Sequence, residues 1–423
     1  MTGPPRAHVV GAGLSGLAAA LTLAEAGHAV MLYEAAAHAG GRCRSYFDRE
    51  LGLRIDNGNH LLLSGNRAAL SYVERIGARP TFLGPLDPVF PFVDLGTGER
   101  WTLRPNPGRV PWWILRPRRR VPGSRAIDYL APLRLSRAGP AATVTEVLGA
   151  DERLFSRLWE PLAVAALNTA AADGSARLFG QVLAETLGRG GAACRPCLPR
   201  EGLSESLVDP ALAALGRRGA DIRFGARLAQ LHFIDDRVGE LTFDDTGVGV
   251  AAGEAVVLAV PAAVAARLVP GLAVPNRHEP IVNAHFQVEA PAEAPFFIGV
   301  VGGAAQWVFR KRGVLSVTVS AADDLVDRPA EELRDLLWRD TAAAYRLPVA
   351  AAPPARIVKE RRATFAAAPS QLERRPRAAT AWENLVLAGD YTDTGLPATI
   401  EGAIRSGFAA ARHWLYRGRR TER

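Results

Sequence analysis

The most constraining feature of this chain is a glycine-rich segment near its start, Gly11-Ala12-Gly13-Leu14-Ser15-Gly16. It follows an apolar run and opens a stretch with helical apolar spacing that ends at Gly27. A second apolar run, Ala29 to Tyr33, leads to Glu34. A strand, a glycine-rich turn, a helix and a strand that ends in an acid form the βαβ unit that binds dinucleotides. The glycines let the backbone approach a pyrophosphate at the helix N-terminus, and Glu34 is placed to bind an adenosine ribose.

Further segments favour FAD over NAD as the dinucleotide. Gly40-Gly41-Arg42 follows Glu34 closely, and Asp56-Asn57-Gly58-Asn59-His60 follows a predicted pair of short strands. Near the far end, an apolar run ends in Gly389-Asp390, and a predicted helix starts near Thr399. Such a strand and helix start bring a carboxylate and free backbone N–H groups to one place, which suits the ribityl hydroxyls and the N1–O2 edge of a flavin. A helix N-cap is the alternative role for Asp390.

Together these segments resemble the glutathione-reductase-type FAD proteins of the amine oxidase and phytoene desaturase superfamily. The resemblance implies an α/β fold, with a Rossmann-like FAD-binding domain of the glutathione-reductase type and an inserted α+β substrate domain. It also implies that Arg42 supports the pyrophosphate, that Asp390 binds the ribityl chain and that the Thr399–Ile400 backbone faces the flavin ring. The cofactor-binding residues predicted on this basis are Gly11, Gly13, Leu14, Ser15, Gly16, Glu34, Ala35, Gly41, Arg42, Asn57, Gly58, Leu228, Gly389, Asp390, Thr399 and Ile400.

The FAD is expected to be noncovalent, because neither Cys nor His lies between Gly389 and Ser406 to reach the edge of the ring. The cysteines and histidines also indicate no metal site. Three cysteines are too few for a disulfide framework, and Cys194 and Cys197 lack the second CxxC of a zinc site. A redox pair is the alternative, and we interpret both as ordinary thiols. The eight histidines show no metal-ligand spacing, so we predict no metal.

A length of 423 residues suits two domains. The resemblance places a discontinuous FAD-binding domain in residues 1–69, 206–269 and 376–423, and a substrate domain in residues 70–205 and 270–375. The longest apolar run, Ala255 to Ala266, is interrupted by Pro261 and predicts a buried strand that leads into a helix. It is too short for a membrane span. We therefore predict a cytoplasmic protein.

A basic segment with two tryptophans predicts contact with a membrane surface. Trp112, Trp113, Ile114 and Leu115 lie among arginines 109, 116, 118, 119 and 120, in a chain whose net charge is +8. Tryptophan favours the membrane interface and arginine favours anionic headgroups, so Trp112–Arg120 suits a docking patch on the inner face of the cytoplasmic membrane. The alternative is a buried tryptophan pair beside a solvated basic loop. Since no nucleic-acid-binding module accompanies the patch, we expect no nucleic-acid partner.

Three stretches narrow the family. Trp159 to Thr169, Leu198 to Leu207 and Asp56 to Leu63 resemble the bacterial hydroxysqualene dehydroxylases, a family within this superfamily. One departure is Asn59, where a glutamine is expected; the change keeps the amide. The resemblance implies reductive removal of the allylic hydroxyl of hydroxysqualene, a long isoprenoid, with reduced FAD as the hydride donor.

This chemistry needs an apolar tunnel with a few polar groups at its flavin end, which protonate the leaving group and hold the reacting carbon. His60, Asn59 and Asn168 are the candidate catalytic residues. Each has a structural alternative: His60 and Asn59 shape the backbone beside the flavin, and Asn168 caps a helix. Glu160 is a candidate buried acid, although its place before Pro161 also suits a helix start.

Three other functions remain open from the sequence. A carotenoid or polyprenoid desaturase has the same fold and removes hydride from its substrate. An amine oxidase would need an aromatic cage, for which we find no marker. A non-catalytic prenyl-lipid-binding protein keeps the fold without flavin, but the intact Gly389-Asp390 and Ile400-Glu401-Gly402 elements argue against it. With one dinucleotide fingerprint, the electron donor is either a separate reductase or NAD(P)H itself.

Overall fold

The computed structural model describes residues 4–149, 154–244 and 246–417, so the ends of the predicted domain ranges, 1–3 and 418–423, lie outside it. The strands are β1 (Arg6–Val10), β2 (Ala29–Glu34), β3 (Ser45–Asp48), β4 (Leu53–Asp56), β5 (Leu62–Leu63), β6 (Phe82–Leu83), β7 (Phe90–Asp94), β8 (Arg100–Leu103), β9 (Pro196–Pro199), β10 (Asp221–Phe224), β11 (Leu228–Ile234), β12 (Arg237–Phe243), β13 (Thr246–Gly249), β14 (Ala255–Leu258), β15 (His278–Gln287), β16 (Phe297–Val301), β17 (Trp307–Lys311), β18 (Val314–Ser320), β19 (Ala355–Phe365) and β20 (Leu385–Leu387). The α-helices are α1 (Leu14–Glu25), α2 (Arg67–Arg75), α3 (Val144–Leu148), α4 (Glu160–Leu167), α5 (Ala176–Glu185), α6 (Asp209–Gly216), α7 (Ala262–Leu268), α8 (Asp323–Val326), α9 (Ala330–Tyr345), α10 (Pro369–Leu372) and α11 (Ile400–Arg417).

A parallel sheet of five strands, in the order β10-β2-β1-β14-β20, carries the glycine-rich segment. Val9 of β1 lies opposite Leu32 of β2 and Val257 of β14. Both faces of this sheet are covered, which explains why its strands are continuous apolar runs. α1 and α11 pack on one face, and the antiparallel sheet β11-β12-β13 packs on the other. The predicted α/β fold class is confirmed.

The second large sheet has seven strands, in the order β19-β15-β18-β17-β16-β7-β8. One face is aliphatic, with residues such as Val282, Val317 and Val319, and packs on α9. The opposite face is polar on one side of the sheet and aromatic on the other. On β15 and β18 it carries polar side chains, and on β17, β16, β7 and β8 it carries buried aromatic rings. These aromatic residues are Trp307, Phe309, Phe297, Phe92 and Trp101.

Most local elements agree with the sequence analysis. α1 ends before Gly27, whose φ of +87° needs glycine, and Pro261 separates β14 from α7 as expected. α11 begins at Ile400, where a helix start near Thr399 was predicted, after a loop of several residues that follows Asp390. The five-stranded sheet draws its strands from segments near residues 10, 30, 225, 257 and 386, and the division into two domains stays a prediction.

The segment with the two tryptophans forms short 3₁₀ helices, Trp112–Leu115, Pro117–Arg119 and Ala126–Arg137. The two tryptophans differ: Trp112 is 65% exposed, whereas Trp113 is 8% exposed and packs edge-on against Tyr129. Neither sequence interpretation is therefore right for both rings. No helix in the described ranges is both long and apolar enough to cross a membrane.

Candidate functional site

The turn between β1 and α1 is tightly packed at some of its glycines and open at others. Gly11 has a φ of +104°, and a Cβ added there would lie 2.3 Å from the carbonyl oxygen of Ala259. A Cβ at Gly16 would lie 1.8 Å from the carbonyl oxygen of Gly11. At Gly13, by contrast, an added Cβ would meet no atom within 4 Å, and at Gly41 it would meet only Gly13 Cα. Glycine is thus required for close packing at two positions, and it leaves open space at the other two.

Glu34 lies at the end of β2, beside this turn. Its Oε2 accepts a hydrogen bond from the amide of Ala12 at 2.7 Å, and its Oε1 accepts one from Ala36 at 2.9 Å. Each carboxylate oxygen keeps a further lone pair for a ribose hydroxyl. The carbonyl of Glu34 also accepts from Ala226, so the loop that contains Ala35 is tied to the loop before Leu228. Leu228 itself begins β11 and is buried.

Arg42 and Asp390 meet although the chain separates them widely. Arg42 Nη2 lies 2.8 Å from Asp390 Oδ1, and its Nη1 donates to the carbonyl of Ala363 at 2.6 Å. The charge of Asp390 raises the pKa of Arg42, so the guanidinium stays charged. Asn57 Nδ2 donates to the carbonyl of Arg42 at 3.4 Å. Asp390 is therefore an ion-pair partner in this structure and caps no helix.

Arg375, which the sequence analysis missed, holds the loop after β20. Its guanidinium donates to the carbonyls of Asp390 (3.1 Å), Tyr391 (3.3 Å) and Thr392. Burial lowers the pKa of Arg375 to about 10, which leaves it charged at neutral pH. A buried cation that binds three backbone carbonyls fixes the position of the Asp390 carboxylate. An arginine in an arginine-rich chain gives no sequence signal of this role.

Hydrogen bonds within its first turn and to α2 fix the start of α11. Thr399 Oγ1 accepts from the amide of Gly402 at 3.0 Å and so caps the helix. Glu401 is buried, and its carboxylate accepts from the amides of Ala68 (3.1 Å) and Ala69 (2.8 Å) at the start of α2. The N-terminus of α1 has no side-chain cap, and its N-cap is Gly13. Two helix N-termini, open glycine backbone and an arginine fit the phosphates and ring of FAD.

His60 lies close enough to Asp56, Lys311 and Arg42 for their charges to influence its pKa. Burial lowers its pKa to about 4, so the ring is neutral at physiological pH. A neutral imidazole has one N–H donor and one acceptor nitrogen. His60 can therefore orient a polar group by hydrogen bonding, but as a neutral ring it is a poor general acid.

Lys311, which is half-buried, forms an ion pair with the buried carboxylate of Asp56, and this pair was not predicted from the sequence. Burial opposes the charge of Asp56, but Lys311, the Ser45 hydroxyl and the Leu203 amide together lower its pKa. Lysine is rare in this chain, whose basic residues are nearly all arginine. That rarity was the one sequence signal available for Lys311.

Asn59 is 8% exposed, and its Nδ2 donates to Thr318 Oγ1 at 3.1 Å. Thr318 Oγ1 donates to Asn283 Oδ1 at 2.8 Å, and Asn283 Nδ2 donates to the carbonyl of Asn57 at 3.3 Å. A Cβ at Gly58 would lie 3.2 Å from Asn283 Nδ2, so Gly58 permits this contact. Neither Asn283 nor Thr318 was predicted, because a polar residue in an alternating strand usually faces solvent.

Asn168 takes the structural alternative. It ends α4 with a left-handed φ of 47°, its Nδ2 donates to the Glu279 carbonyl (3.2 Å) and Thr364 Oγ1 (2.9 Å), and its Oδ1 accepts from Ala321 at 2.8 Å. Through these hydrogen bonds the side-chain amide links the C-terminal end of α4 to β15 and β19. Glu160 is the first residue of α4, and burial raises its pKa.

Comparisons with known proteins agree with this geometry. The family model described as flavin containing amine oxidoreductase matches residues 14–415. Hydroxysqualene dehydroxylase of Rhodopseudomonas palustris is 48% identical over 97% of this chain and 99% of its own length. The protein of the same name from Sinorhizobium fredii is 46% identical over 96% of this chain and 98% of its own length.

Among solved structures, a putrescine oxidase double mutant matches with a TM-score of 0.74 at 16% identity, over 99% of this chain and 100% of that one. Cyclohexylamine oxidase from Brevibacterium oxydans matches with a TM-score of 0.71 at 17% identity, over 99% of this chain and 100% of that one. At such low identity these matches bear on the fold alone. FAD is the cofactor, and the chain is an oxidoreductase. The chain belongs to the flavin-containing amine oxidoreductase family and, within it, to the hydroxysqualene dehydroxylases.

Proposed function

We propose that this flavoprotein converts hydroxysqualene to squalene and water. The observation that carries the proposal is the 48% identity to a hydroxysqualene dehydroxylase along nearly the entire chain. When bound, reduced FAD supplies the hydride that replaces the hydroxyl group. One proton joins the departing hydroxyl to form water, and the flavin is oxidised by two electrons.

The residues of this chain prepare the site in three ways. The open backbone at Gly13 and Gly41, with Leu14 and Ser15 in the first turn of α1, would receive the pyrophosphate, and Gly11 and Gly16 permit the close packing of this turn. Glu34 would bind the adenosine ribose and Arg42 would support the pyrophosphate. Asp390, next to Gly389, would bind the ribityl chain, and the Thr399–Ile400 backbone would face the flavin ring. His60 and Asn59 present neutral polar groups. The carboxylates of Asp56 and Asp390 are both held in ion pairs, with Lys311 and Arg42, so neither is left as an unpaired anion.

The seven-stranded sheet supplies the apolar surface that a C30 hydrocarbon needs. Its aromatic rings, from Phe309 through Trp307 and Phe92 to Trp101, form a buried cluster that continues to Trp113 and Tyr129. Trp113 follows directly on the exposed Trp112. Aromatic surface therefore runs from the polar residues of β15 and β18 towards the outside of the molecule.

We further propose that this outer end contacts the inner face of the cytoplasmic membrane. Ile127, Leu130 and Leu133 are exposed and recur every third residue of a 3₁₀ helix, so they share one face. Together with Val110, Trp112 and Leu115 they form an exposed apolar surface, here called the lipid-facing surface. Exposed arginines flank it at 109, 116, 118, 134 and 137. Apolar side chains ringed by arginine are typical of docking to anionic lipid. The electron donor would be either a separate reductase or NAD(P)H itself.

The test of the reaction is anaerobic. Photoreduced holoenzyme is mixed with hydroxysqualene, and squalene is measured against flavin reoxidised; the two should form in equal amounts. In deuterated buffer, where the flavin N5 proton exchanges, one deuterium should appear at the former carbinol carbon. Squalene formed without flavin oxidation would contradict the proposal. Dehydrogenation of a polyene by oxidised enzyme, without turnover of the alcohol, would assign the chain to the desaturases.

A further inference from the structure

The chain of hydrogen bonds through Asn59, Thr318 and Asn283 has a direction that its far end determines. The carbonyl of Asn57 can only accept, so the Asn283 group that contacts it must be the Nδ2 donor. Asn283 Oδ1 therefore faces Thr318, and the Thr318 hydroxyl must donate to it at 2.8 Å. The Thr318 oxygen is left to accept from Asn59 Nδ2. Each group in the chain thus fixes the orientation of the next.

The near end of the chain is an acceptor without a donor. Once Asn59 Nδ2 points to Thr318, Asn59 Oδ1 points away from it. This oxygen is buried, and no described residue donates a hydrogen bond to it. An unmet buried carbonyl is costly, and side chains that could rotate usually do so to avoid the cost. Here rotation is blocked, because a flipped amide would set two acceptors, Asn59 Oδ1 and the Thr318 oxygen, against each other.

The position of this carbonyl matches a substrate with one hydroxyl group on a long hydrocarbon. Thr318 lies opposite Asn283 on one side and opposite Trp307 on the other. The acceptor is therefore held where the polar part of the seven-stranded sheet meets its aromatic part. An alcohol at this boundary can donate its O–H to Asn59 while its hydrocarbon lies on the aromatic rings. A hydrocarbon without the hydroxyl would leave the carbonyl unmet.

We propose that Asn59 Oδ1 accepts a hydrogen bond from the substrate hydroxyl, and that Thr318 and Asn283 are positioning residues that hold it there. This inference rests on the proposed function for the identity of the alcohol. In this proposal the enzyme distinguishes the alcohol from its hydrocarbon product through an uncharged amide oxygen, which takes no part in proton or hydride transfer. Product release follows, since squalene cannot satisfy the same acceptor.

The test measures equilibrium binding to oxidised holoenzyme, in which the flavin holds no hydride and the alcohol is not consumed. The dissociation constants of hydroxysqualene and squalene are measured from perturbation of the flavin spectrum. Thr318→Val removes the hydroxyl without a change of shape, and Thr318→Ser restores it. Ser316→Ala is the matched control, because Ser316 lies two residues away on β18 and loses a comparable buried contact with His285 Nδ1 (2.8 Å).

We expect wild type, Thr318→Ser and Ser316→Ala to favour the alcohol over the hydrocarbon. Thr318→Val should reduce that preference by about threefold to tenfold, the effect of one neutral hydrogen bond. Its squalene affinity and FAD content should be unchanged, which separates positioning from a general structural role. A preference that survives in Thr318→Val, or its absence in wild type, overturns the inference. If the anaerobic reaction fails, the proposed function fails whatever the binding result.

Discussion

Arg42 Nη2 donates to Asp390 Oδ1 at 2.8 Å, and this contact joins the loop after β2 to the loop after β20. Both loops lie at the carboxyl ends of strands in the same parallel sheet, where such sheets bind their ligands. We therefore expect the ion pair to couple two parts of the cofactor site. Substitution of either Arg42 or Asp390 should therefore change FAD binding partly by displacing the other.

The first prediction concerns this pair. Arg42→Ala should raise the dissociation constant of FAD by about tenfold or more, because it removes a charge-assisted hydrogen bond at the site. The measurement is a titration of apoprotein with FAD, followed by flavin fluorescence. Arg49→Ala, an exposed arginine in the β3–β4 turn, is the control and should leave affinity unchanged. Equal affinities of the Arg42 variant and wild type would show that the pair has no part in binding. Acid precipitation of wild type should release all of its FAD, since we expect no covalent bond.

The second prediction concerns Glu401, whose carboxylate caps α2 from the first turn of α11. Glu401→Gln should lower the free energy of unfolding by about 1–3 kcal/mol, because one carboxylate oxygen becomes a buried NH₂ group facing backbone donors. Chemical denaturation of the holoprotein measures the change. Glu331→Gln, in the exposed first turn of α9, should have little effect. A Glu401 variant as stable as wild type would mean that water replaces the cap.

The third prediction is a pH dependence of stability. Burial lowers the pKa of both His60 and His285 to about 4, below the ordinary value of 6.5. As the pH falls from 6.5 towards 4, the unfolded chain binds these protons before the folded chain does. The free energy of unfolding should therefore fall, by at most about 1.4 kcal/mol per pH unit for each histidine.

Replacement of one of these two histidines tests the assignment of that slope. His60→Gln should make the decline over this pH range shallower, whereas His413→Gln, an exposed histidine of α11, should leave it as in wild type. Denaturation midpoints at half-unit pH steps provide the comparison. The same slope in the His60 variant and wild type would mean that His60 does not stay neutral in the folded protein.

The fourth prediction concerns the lipid-facing surface. Trp112→Ser and Leu133→Ser should each weaken binding to anionic liposomes, and binding should fall as salt rises, because exposed charges are screened over about 8 Å at physiological ionic strength. Sedimentation with vesicles measures the fraction of protein bound to liposomes. Phe47→Ser removes an exposed aromatic ring elsewhere and should bind as wild type does. Wild type that ignores anionic vesicles at low salt would contradict the membrane contact.

Predictions from the sequence were most accurate for residues that act through their backbone or through their spacing from near neighbours in the chain. The turn at Gly11–Gly16, Glu34 at the end of β2 and the strand before Asp390 follow from local patterns, since a βαβ unit is short. FAD and the α/β class were predicted from these patterns together with the family resemblance. Trp112 and Trp113 were treated as a pair, although a 3₁₀ turn places adjacent side chains on different sides.

The residues that were missed act across long sequence separations. Thr318 and Asn283 matter because β15 and β18 are neighbours and because Asn59 reaches them from another part of the fold. Arg375 matters because it binds backbone carbonyls, which leave no mark in the sequence. Asn168 was given a chemical role on its side chain alone, whereas three partners from distant strands and loops decide its role.

The order of strands in the parallel sheet sets when this protein can acquire its cofactor. β1 and β2 are made first, but β1 pairs on its other side with β14, which in turn pairs with β20 near the end of the chain. At about 5–20 residues per second, a ribosome needs on the order of tens of seconds to go from β1 to β20. One edge of β1 is unpaired until β14 has been made, and Arg42 has no Asp390 to bind until β20 has followed. We therefore expect FAD capture to be a late event in biosynthesis, and a chain truncated before β20 to bind FAD poorly.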